Sequence, residues 1–168
     1  MPDQALIQLA DQLGKLLLQK KMVLATAESC TGGGVAYIIT EIAGSSAWFD
    51  RGFVTYSNEA KQELLNVSAQ SLKEEGAVSK TVAIEMVKGA LKNSRADIAV
   101  AITGIAGPGG GSEKKPVGTV WFAWASKTVA PIAKHHLLKG DRAQIRQQSI
   151  QVALQGLIDY MSSTSERA

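Results

Sequence analysis

Apolar residues recur at intervals of three and four positions near the start of the chain, which is the spacing of one face of an α-helix. The pattern runs from Leu6 to Leu17 and predicts an amphipathic first helix with one buried stripe. The same spacing returns from Val78 to Leu91, with Ser79 as a candidate cap, and from Ile150 to Ile158. These segments predict two more core-facing helices, the last of which begins near Asp141.

Short runs of apolar or other β-forming residues between the helical segments favour β-strands. Met22 to Ala27, Arg51 to Ser57 and Asp97 to Thr103 each run into a polar turn. Val117 to Ala125 and Val129 to Leu138 are separated by a short polar link and predict a hairpin. Strands that alternate with helices and end in a hairpin predict an α/β fold, a three-layer α/β/α sandwich with a mixed, mainly parallel sheet.

Length and composition narrow the class of protein. A chain of 168 residues with 45% hydrophobic content predicts one domain spanning residues 1–168. The net charge of +3 and the 5% aromatic content argue against nucleic-acid binding. One cysteine excludes an internal disulfide, and no Cys/His spacing indicates a metal site. We therefore expect no metal and no cofactor.

The hydropathy pattern also bears on location. No apolar run approaches the roughly 20 residues that span a bilayer, so we expect no membrane association. The segment from Met1 to Lys21 lacks the apolar block of a secretory signal. The sequence thus predicts a cytoplasmic protein.

Three loops follow the predicted parallel strands, where ligands of α/β sandwiches usually bind. They run from Glu28 to Gly34, from Tyr56 to Lys61 and from Thr103 to Pro116. Each contains residues that are able to carry chemistry.

Ser29 stands where the first predicted strand turns into a glycine-rich segment. Backbone N–H groups at such a turn could stabilise an oxyanion while the hydroxyl faces solvent, which favours Ser29 as a nucleophile. Two alternatives stay open. Ser29 or Thr31 could simply cap the next helix. Cys30 could be the nucleophile instead, although its position in the turn favours a buried apolar side chain.

A serine nucleophile needs a base. His135 and His136 are adjacent in a predicted strand, so they point to opposite faces and are interpreted as ordinary strand positions. Lys61 falls in the first turn of a helix that Asn58 is predicted to cap, where the helix dipole lowers a lysine pKa. A neutral Lys61 could deprotonate the serine directly or through Tyr56. The alternative for Lys61 is a solvated surface position.

Two further features could bind an anion. The stretch from Thr103 to Ser112 offers many backbone N–H groups, although it matches neither the P-loop nor the dinucleotide-binding pattern. Arg142 and Arg146 lie one helical turn apart and could hold a phosphate together. The alternatives are a flexible surface loop and two solvated arginines.

Six sequence motifs follow one another in order along nearly the whole chain. They are Ala27-Glu28-Ser29-Cys30-Thr31-Gly32-Gly33, Tyr56-Ser57-Asn58-Glu59-Ala60-Lys61, Gly76-Ala77-Val78-Ser79, Thr103-Gly104-Ile105-Ala106-Gly107-Pro108, Lys115-Pro116-Val117-Gly118-Thr119-Val120 and Gly140-Asp141-Arg142. Taken together, these motifs resemble the nicotinamide-nucleotide amidohydrolase family, which is also the C-terminal domain of competence-damage-inducible protein A.

The resemblance implies a metal-independent hydrolysis of nicotinamide mononucleotide to nicotinic acid mononucleotide and ammonia. It also implies that Ser29 is the nucleophile, Lys61 the base and Tyr56 an assisting group. The large N-terminal domain of longer family members is missing, which points to the stand-alone form. The substrate-binding residues expected on this basis are Cys30, Thr31, Gly32, Gly33, Thr103, Gly104, Ile105, Ala106, Gly107 and Arg142.

Two other functions compete with this interpretation. One is a non-catalytic nucleotide-binding module that uses the same loops. The other is a regulatory partner protein in competence or the DNA-damage response. We also expect a homodimer, for which an exposed Trp48-Phe49 pair could supply part of the interface.

Overall fold

The computed structural model of the chain describes residues 2–166, and along them strands alternate with helices. The strands are β1 (Leu24–Glu28), β2 (Phe49–Val54), β3 (Ile98–Gly104), β4 (Thr119–Ser126) and β5 (Ile132–Leu137). The helices are α1 (Gln4–Lys20), α2 (Gly34–Thr40), α3 (Asn58–Leu65), α4 (Ala69–Glu75), α5 (Lys80–Lys92) and α6 (Arg142–Glu166), with one 3₁₀ turn at Ser45–Ala47. No helix within residues 2–166 has the length and hydropathy needed to cross a membrane.

The strands form one sheet in the order β2-β1-β3-β4-β5. β1 lies between β2 and β3 and pairs with both of them in parallel. β4 runs antiparallel to β3, and β5 closes the predicted hairpin by pairing antiparallel with β4. The predicted α/β class and the mixed, mainly parallel sheet are confirmed.

The two faces of the sheet carry side chains of different size. Along β3, Ile98, Val100 and Ile102 alternate with Ala99 and Ala101, and all five are fully buried. Because successive strand residues point to opposite faces, the large side chains share one face and the alanines the other. The large side chains pack in a core with α1, α2 and α6, and the alanines pack under α5. The predicted three layers follow from this division.

The structure differs from the sequence-based prediction in three local details. The second strand runs from Phe49 to Val54, so it begins two residues before the predicted range of Arg51 to Ser57 and ends three residues before its end. Ser57 rather than Asn58 caps α3, since the Ser57 Oγ accepts a hydrogen bond from the Ala60 N–H at 3.0 Å. Helix α4 was not predicted, because none of its residues is buried and it therefore shows no apolar stripe. Ser79 does cap α5, as predicted.

Trp48 is not the exposed aromatic residue that the sequence suggested. It is 2% exposed, and its indole packs so closely on α1 that a Cβ built at Gly14 would lie 2.6 Å from the ring. Phe49 is partly buried against the same core. This pair therefore gives no support to the predicted homodimer.

Candidate active site

A cavity of about 260 Å³ lies beyond the carboxyl ends of the central parallel strands. Its walls come from the turn after β1, the junction between β2 and α3, the segment before α5, the loop after β3 and the start of α6. The lining residues are Ser29, Cys30, Tyr56, Asn58, Lys61, Ala77, Val78, Thr103, Gly104, Ile105, Ala106, Gly107, Gly109, Gly110 and Arg142.

The cavity brings together most of the residues predicted for the site, including the three predicted catalytic residues. Thr31, Gly32 and Gly33 do not line it and lie on the turn behind Ser29. Five lining residues were in neither the predicted catalytic set nor the predicted substrate-binding set. Ala77 and Val78 belong to a motif that carried the family resemblance, and Asn58 had been interpreted as a helix cap. Gly109 and Gly110 belong to the glycine-rich stretch that was considered as an anion site.

Ser29 and Lys61 are in direct contact. The Lys61 Nζ lies 2.9 Å from the Ser29 Oγ, and the two residues are 1% and 7% exposed respectively. The Ser29 N–H continues the pairing of β1 with β3 by donating to the Ile102 carbonyl at 3.0 Å. The strand alternation is thereby maintained, and it directs Ser29 to the face of the sheet that α3 covers.

Two backbone carbonyls complete the surroundings of the Lys61 amine. The Nζ donates to the Thr55 carbonyl at 2.8 Å and to the Tyr56 carbonyl at 3.3 Å. A neutral amine has two N–H groups and one lone pair, so it can satisfy both carbonyls and still accept the Ser29 O–H. This arrangement suits a general base.

Burial lowers the pKa of Lys61. Lys61 lies in the first turn of α3, as predicted, but desolvation rather than the helix dipole is the main cause of the shift. The alternative of a solvated surface lysine is wrong, since the side chain is 1% exposed.

Cys30 touches the same cavity but differs from Ser29 in its surroundings. It is 6% exposed and packs in the core beneath α2 and α6. Burial raises the pKa of its thiol to about 11, so the thiolate is scarce at neutral pH. This disfavours Cys30 as the nucleophile.

Glu28 has a role that the sequence did not suggest. Its side chain is fully buried, accepts the Thr31 O–H at 2.6 Å, and accepts two N–H groups from the first turn of α2 at 2.9 and 3.0 Å. The residue at the N-cap position, Gly33, offers no side chain for this purpose. Glu28 therefore caps α2, and the alternative in which Ser29 or Thr31 does so is wrong.

Arg146 faces the turn that carries Ser29. Its Nε donates to the Cys30 carbonyl at 3.1 Å and its Nη2 to the Thr31 carbonyl at 3.3 Å. The predicted pairing of Arg146 with Arg142 around one phosphate is not supported, because these two bonds direct the Arg146 guanidinium to backbone and only Arg142 lines the cavity.

Arg142 spans the mouth of the cavity. Its Nη1 donates to the Gly107 carbonyl at 2.7 Å, and its Nη2 donates to the Tyr56 hydroxyl at 3.1 Å. Arg142 and Tyr56 are both exposed, so their polar groups are accessible to a ligand. The Tyr56 side chain thus bonds to Arg142, while its backbone carbonyl holds Lys61.

The histidines take no part in this cavity. His135 packs against Trp121 and His136 against Phe122, on opposite faces of the sheet as predicted. Neither lines the cavity that contains Ser29. Over the described part of the chain, no group of three or more His, Cys, Asp or Glu side chains is placed to hold a metal ion.

Comparison with known proteins decides the family. A family model described as the CinA C-terminal domain matches residues 6–161. The chain belongs to this family. The matched segment of the chain, residues 6–161, includes all the motifs around the cavity and both arginines of α6.

Curated members of the CinA C-terminal domain family resemble the chain along most of its length. One is nicotinamide-nucleotide amidohydrolase PncC of Escherichia coli strain K12, which is 55% identical over 157 residues. That alignment covers 94% of this chain and 95% of the relative. A second protein of the same name, from Pseudomonas putida, is 47% identical over 150 residues, which cover 89% and 93% of the two chains.

Solved CinA structures share the fold. The competence/damage inducible protein CihA from Agrobacterium tumefaciens superposes with a TM-score of 0.90 at 44% identity, covering 95% of this chain and 96% of that one. The competence damage-inducible protein A (ComA) from Klebsiella pneumoniae gives a TM-score of 0.90 at 37% identity, with 94% and 97% coverage. The α/β fold assigned above is therefore the fold of these relatives.

Proposed function

We propose that the chain is a nicotinamide-nucleotide amidohydrolase, which hydrolyses the carboxamide of nicotinamide mononucleotide to nicotinic acid mononucleotide and ammonia. The observation that carries the proposal is the 2.9 Å contact between the Ser29 hydroxyl and the buried Lys61 amine inside the cavity. The relatives named nicotinamide-nucleotide amidohydrolase support the choice of substrate.

Acylation begins when the neutral Lys61 takes the Ser29 proton. The Ser29 Oγ attacks the carboxamide carbon, and a tetrahedral intermediate forms. The resulting Lys61 ammonium returns its proton to the amide nitrogen, the C–N bond breaks, and ammonia leaves. Lys61 is neutral again, and Ser29 carries the acyl group as an ester.

The oxyanion of the intermediate needs hydrogen-bond donors. The Ser29 N–H is already bonded to the Ile102 carbonyl, so it does not serve. Cys30 is the next residue and lines the cavity, and we assign the oxyanion contact to its N–H group.

Deacylation uses the same base. Lys61 takes a proton from water, the hydroxide oxygen attacks the ester carbon, and the proton returns to the Ser29 oxygen as the carboxylate leaves. Because the amine contacts the serine without an intervening group, we assign the base role to Lys61 acting directly. Tyr56 then assists through the carbonyl that orients the amine.

The cavity mouth suits the phosphate of the substrate. The Arg142 guanidinium is the cationic group that lines it, and the Tyr56 hydroxyl lies beside that guanidinium. A guanidinium binds phosphate oxygens through paired N–H groups. We place the phosphate there and the carboxamide at Ser29. The predicted homodimer and cytoplasmic location stay predictions.

The proposal is tested by ammonia release from nicotinamide mononucleotide, with nicotinic acid mononucleotide identified by mass. We expect turnover by the wild-type chain and background activity for Ser29→Ala. Ser46→Ala is the matched control, because Ser46 is exposed and lies outside the cavity, and it should keep wild-type activity. Stoichiometric binding of the nucleotide without ammonia release would contradict the proposal and favour a binding module.

A further inference from the structure

The turn that carries Ser29 is held by charged side chains on the side away from Lys61. Glu28 and Ser29 are adjacent at the end of β1, so their side chains point to opposite faces of the sheet. Ser29 meets Lys61 on one face, and the Glu28 carboxylate bonds to α2 on the other. The Glu28 carboxylate is therefore adjacent to Ser29 in sequence but lies on the opposite face of the sheet from the Ser29–Lys61 contact.

Burying this carboxylate is costly unless its oxygens are well bonded. Glu28 is fully buried and receives three hydrogen bonds, from the Thr31 hydroxyl and from two backbone N–H groups of α2. Its Oε1 accepts from both Thr31 and Val35, and its Oε2 accepts from Ala36. The carboxylate therefore fixes where the turn after Ser29 joins the helix.

Arg146 fixes the middle of the same turn. It donates to the carbonyls of Cys30 and Thr31, two successive peptide groups. Because each peptide group is planar, holding its carbonyl oxygen also fixes the direction of the N–H in the same plane. The backbone between Ser29 and α2 is thus held by Arg146 from α6 and by Glu28 from β1.

We propose that Glu28 and Arg146 are positioning residues, which keep the Ser29 hydroxyl within reach of Lys61. The inference rests on the proposed function, because it takes Ser29 as the nucleophile. Neither residue lines the cavity, so neither is expected to touch the substrate. Their loss should therefore lower kcat and leave KM nearly unchanged, because a misplaced nucleophile slows the chemical step alone.

The experiment compares Glu28→Gln and Arg146→Lys with the wild-type chain. Glu28→Gln keeps the size of the side chain but replaces one acceptor oxygen by an NH₂ group, and Arg146→Lys removes the paired donors. We expect kcat to fall about 10- to 100-fold and KM to stay within about twofold. The rate at which phenylmethylsulfonyl fluoride labels Ser29, followed by mass, should fall in parallel.

Two matched comparisons separate positioning from stability. Glu85 also accepts an N–H at the start of a helix, since its Oε1 bonds to the Ser68 N–H at 2.9 Å, but it lies outside the cavity. Glu85→Gln should lower the unfolding temperature while keeping kcat and the labelling rate. Thr31→Val removes one bond to Glu28 and should slow catalysis, whereas Thr31→Ser keeps the hydroxyl and should restore most of the rate.

Three results would overturn the inference. They are wild-type kcat and labelling in Glu28→Gln and Arg146→Lys, a rise in KM for Arg146→Lys at unchanged kcat, and a wild-type Ser29 that the reagent does not label. Labelling uses no nucleotide, so it separates this inference from the proposed function. A wild-type chain that is labelled at Ser29 but releases no ammonia contradicts the proposed function, and the labelling rates of the variants still decide the positioning role.

Discussion

The two strand-to-helix junctions at the active-site edge of the sheet are built from different interactions. The junction after β1, residues 28–34, is held by the buried carboxylate of Glu28 and by the guanidinium of Arg146. The junction after β2, residues 55–61, presents two uncharged carbonyls, of Thr55 and Tyr56, to the Lys61 amine. One junction carries the nucleophile and the other carries the base.

This difference matches the needs of each group. A serine hydroxyl is neutral at all working pH values, so its junction has to supply position, and charged hydrogen bonds hold a backbone firmly. A lysine base has to be neutral, and a carboxylate beside it would stabilise the ammonium instead. The two carbonyls orient the amine without adding a charge, and burial lowers the pKa of the amine.

Replacing Lys61 by methionine should have the largest effect. The variant keeps an unbranched side chain of similar length but has no amine, so kcat should fall by about 10³-fold, within the range for loss of a general base. Ammonia release under saturating nucleotide measures this. Lys88→Met, on the exposed side of α5, is the control and should be unaffected. A Lys61→Met enzyme that keeps a tenth of wild-type kcat would remove Lys61 from the mechanism.

The pH dependence of the reaction should report the same amine. Because burial lowers the pKa of Lys61 below its ordinary 10.5, the neutral form is reached at lower pH in the folded chain. The rate constant kcat/KM should rise with pH through this lowered pKa and then level off. A profile with no rising limb below pH 10.5, measured by ammonia release, would contradict a neutral lysine base.

The stability of the chain should change with pH in the same direction. Between the folded pKa of Lys61 and 10.5, the unfolded chain binds a proton that the folded chain does not, so the free energy of unfolding rises with pH in that window. Urea unfolding across this range measures the slope. Lys61→Met should show a smaller slope, and an unchanged slope would assign the effect to other groups.

The arginine at the cavity mouth should affect binding more than chemistry. Arg142→Lys keeps the charge but loses the paired donors, so KM should rise about tenfold, the size expected for one lost charge-assisted hydrogen bond. The constant kcat should stay within a factor of about two. A fall in kcat at constant KM would contradict a binding role and would indicate that Arg142 is a positioning residue like Glu28 and Arg146.

Parts of the fold and of the two strand-to-helix junctions could be predicted from the sequence. Local patterns predict the helices that carry an apolar stripe, such as α1 and α5. They also predict that Ser29 and Lys61 lie at strand-to-helix junctions. Since β1 and β2 are neighbouring parallel strands, their carboxyl ends meet at one edge and bring the two residues together. The contact was therefore predictable in outline, although its distance was not.

The supporting interactions were not predictable from local patterns. Arg146 is 116 residues away from Cys30 in the sequence, and one turn of helix separates it from Arg142, which has a different task. Glu28 was visible in a motif, but its capping of α2 depends on Gly33 having no side chain at the cap position. Such roles depend on how α6 and α2 pack on the sheet.

Cys30→Ala should have the smallest effect, and it tests whether the turn after β1 contains a second nucleophile. The thiol is buried and its pKa is raised to about 11, so about one molecule in a thousand holds a thiolate at pH 8. We expect kcat within about twofold of wild type, since the backbone N–H at residue 30 remains. Loss of the buried sulfur should cost about 1 kcal/mol and lower Tm by about 2–4 °C. Iodoacetamide at pH 8 should leave the wild-type enzyme active, and inactivation by it would show that Cys30 is more reactive than its burial allows.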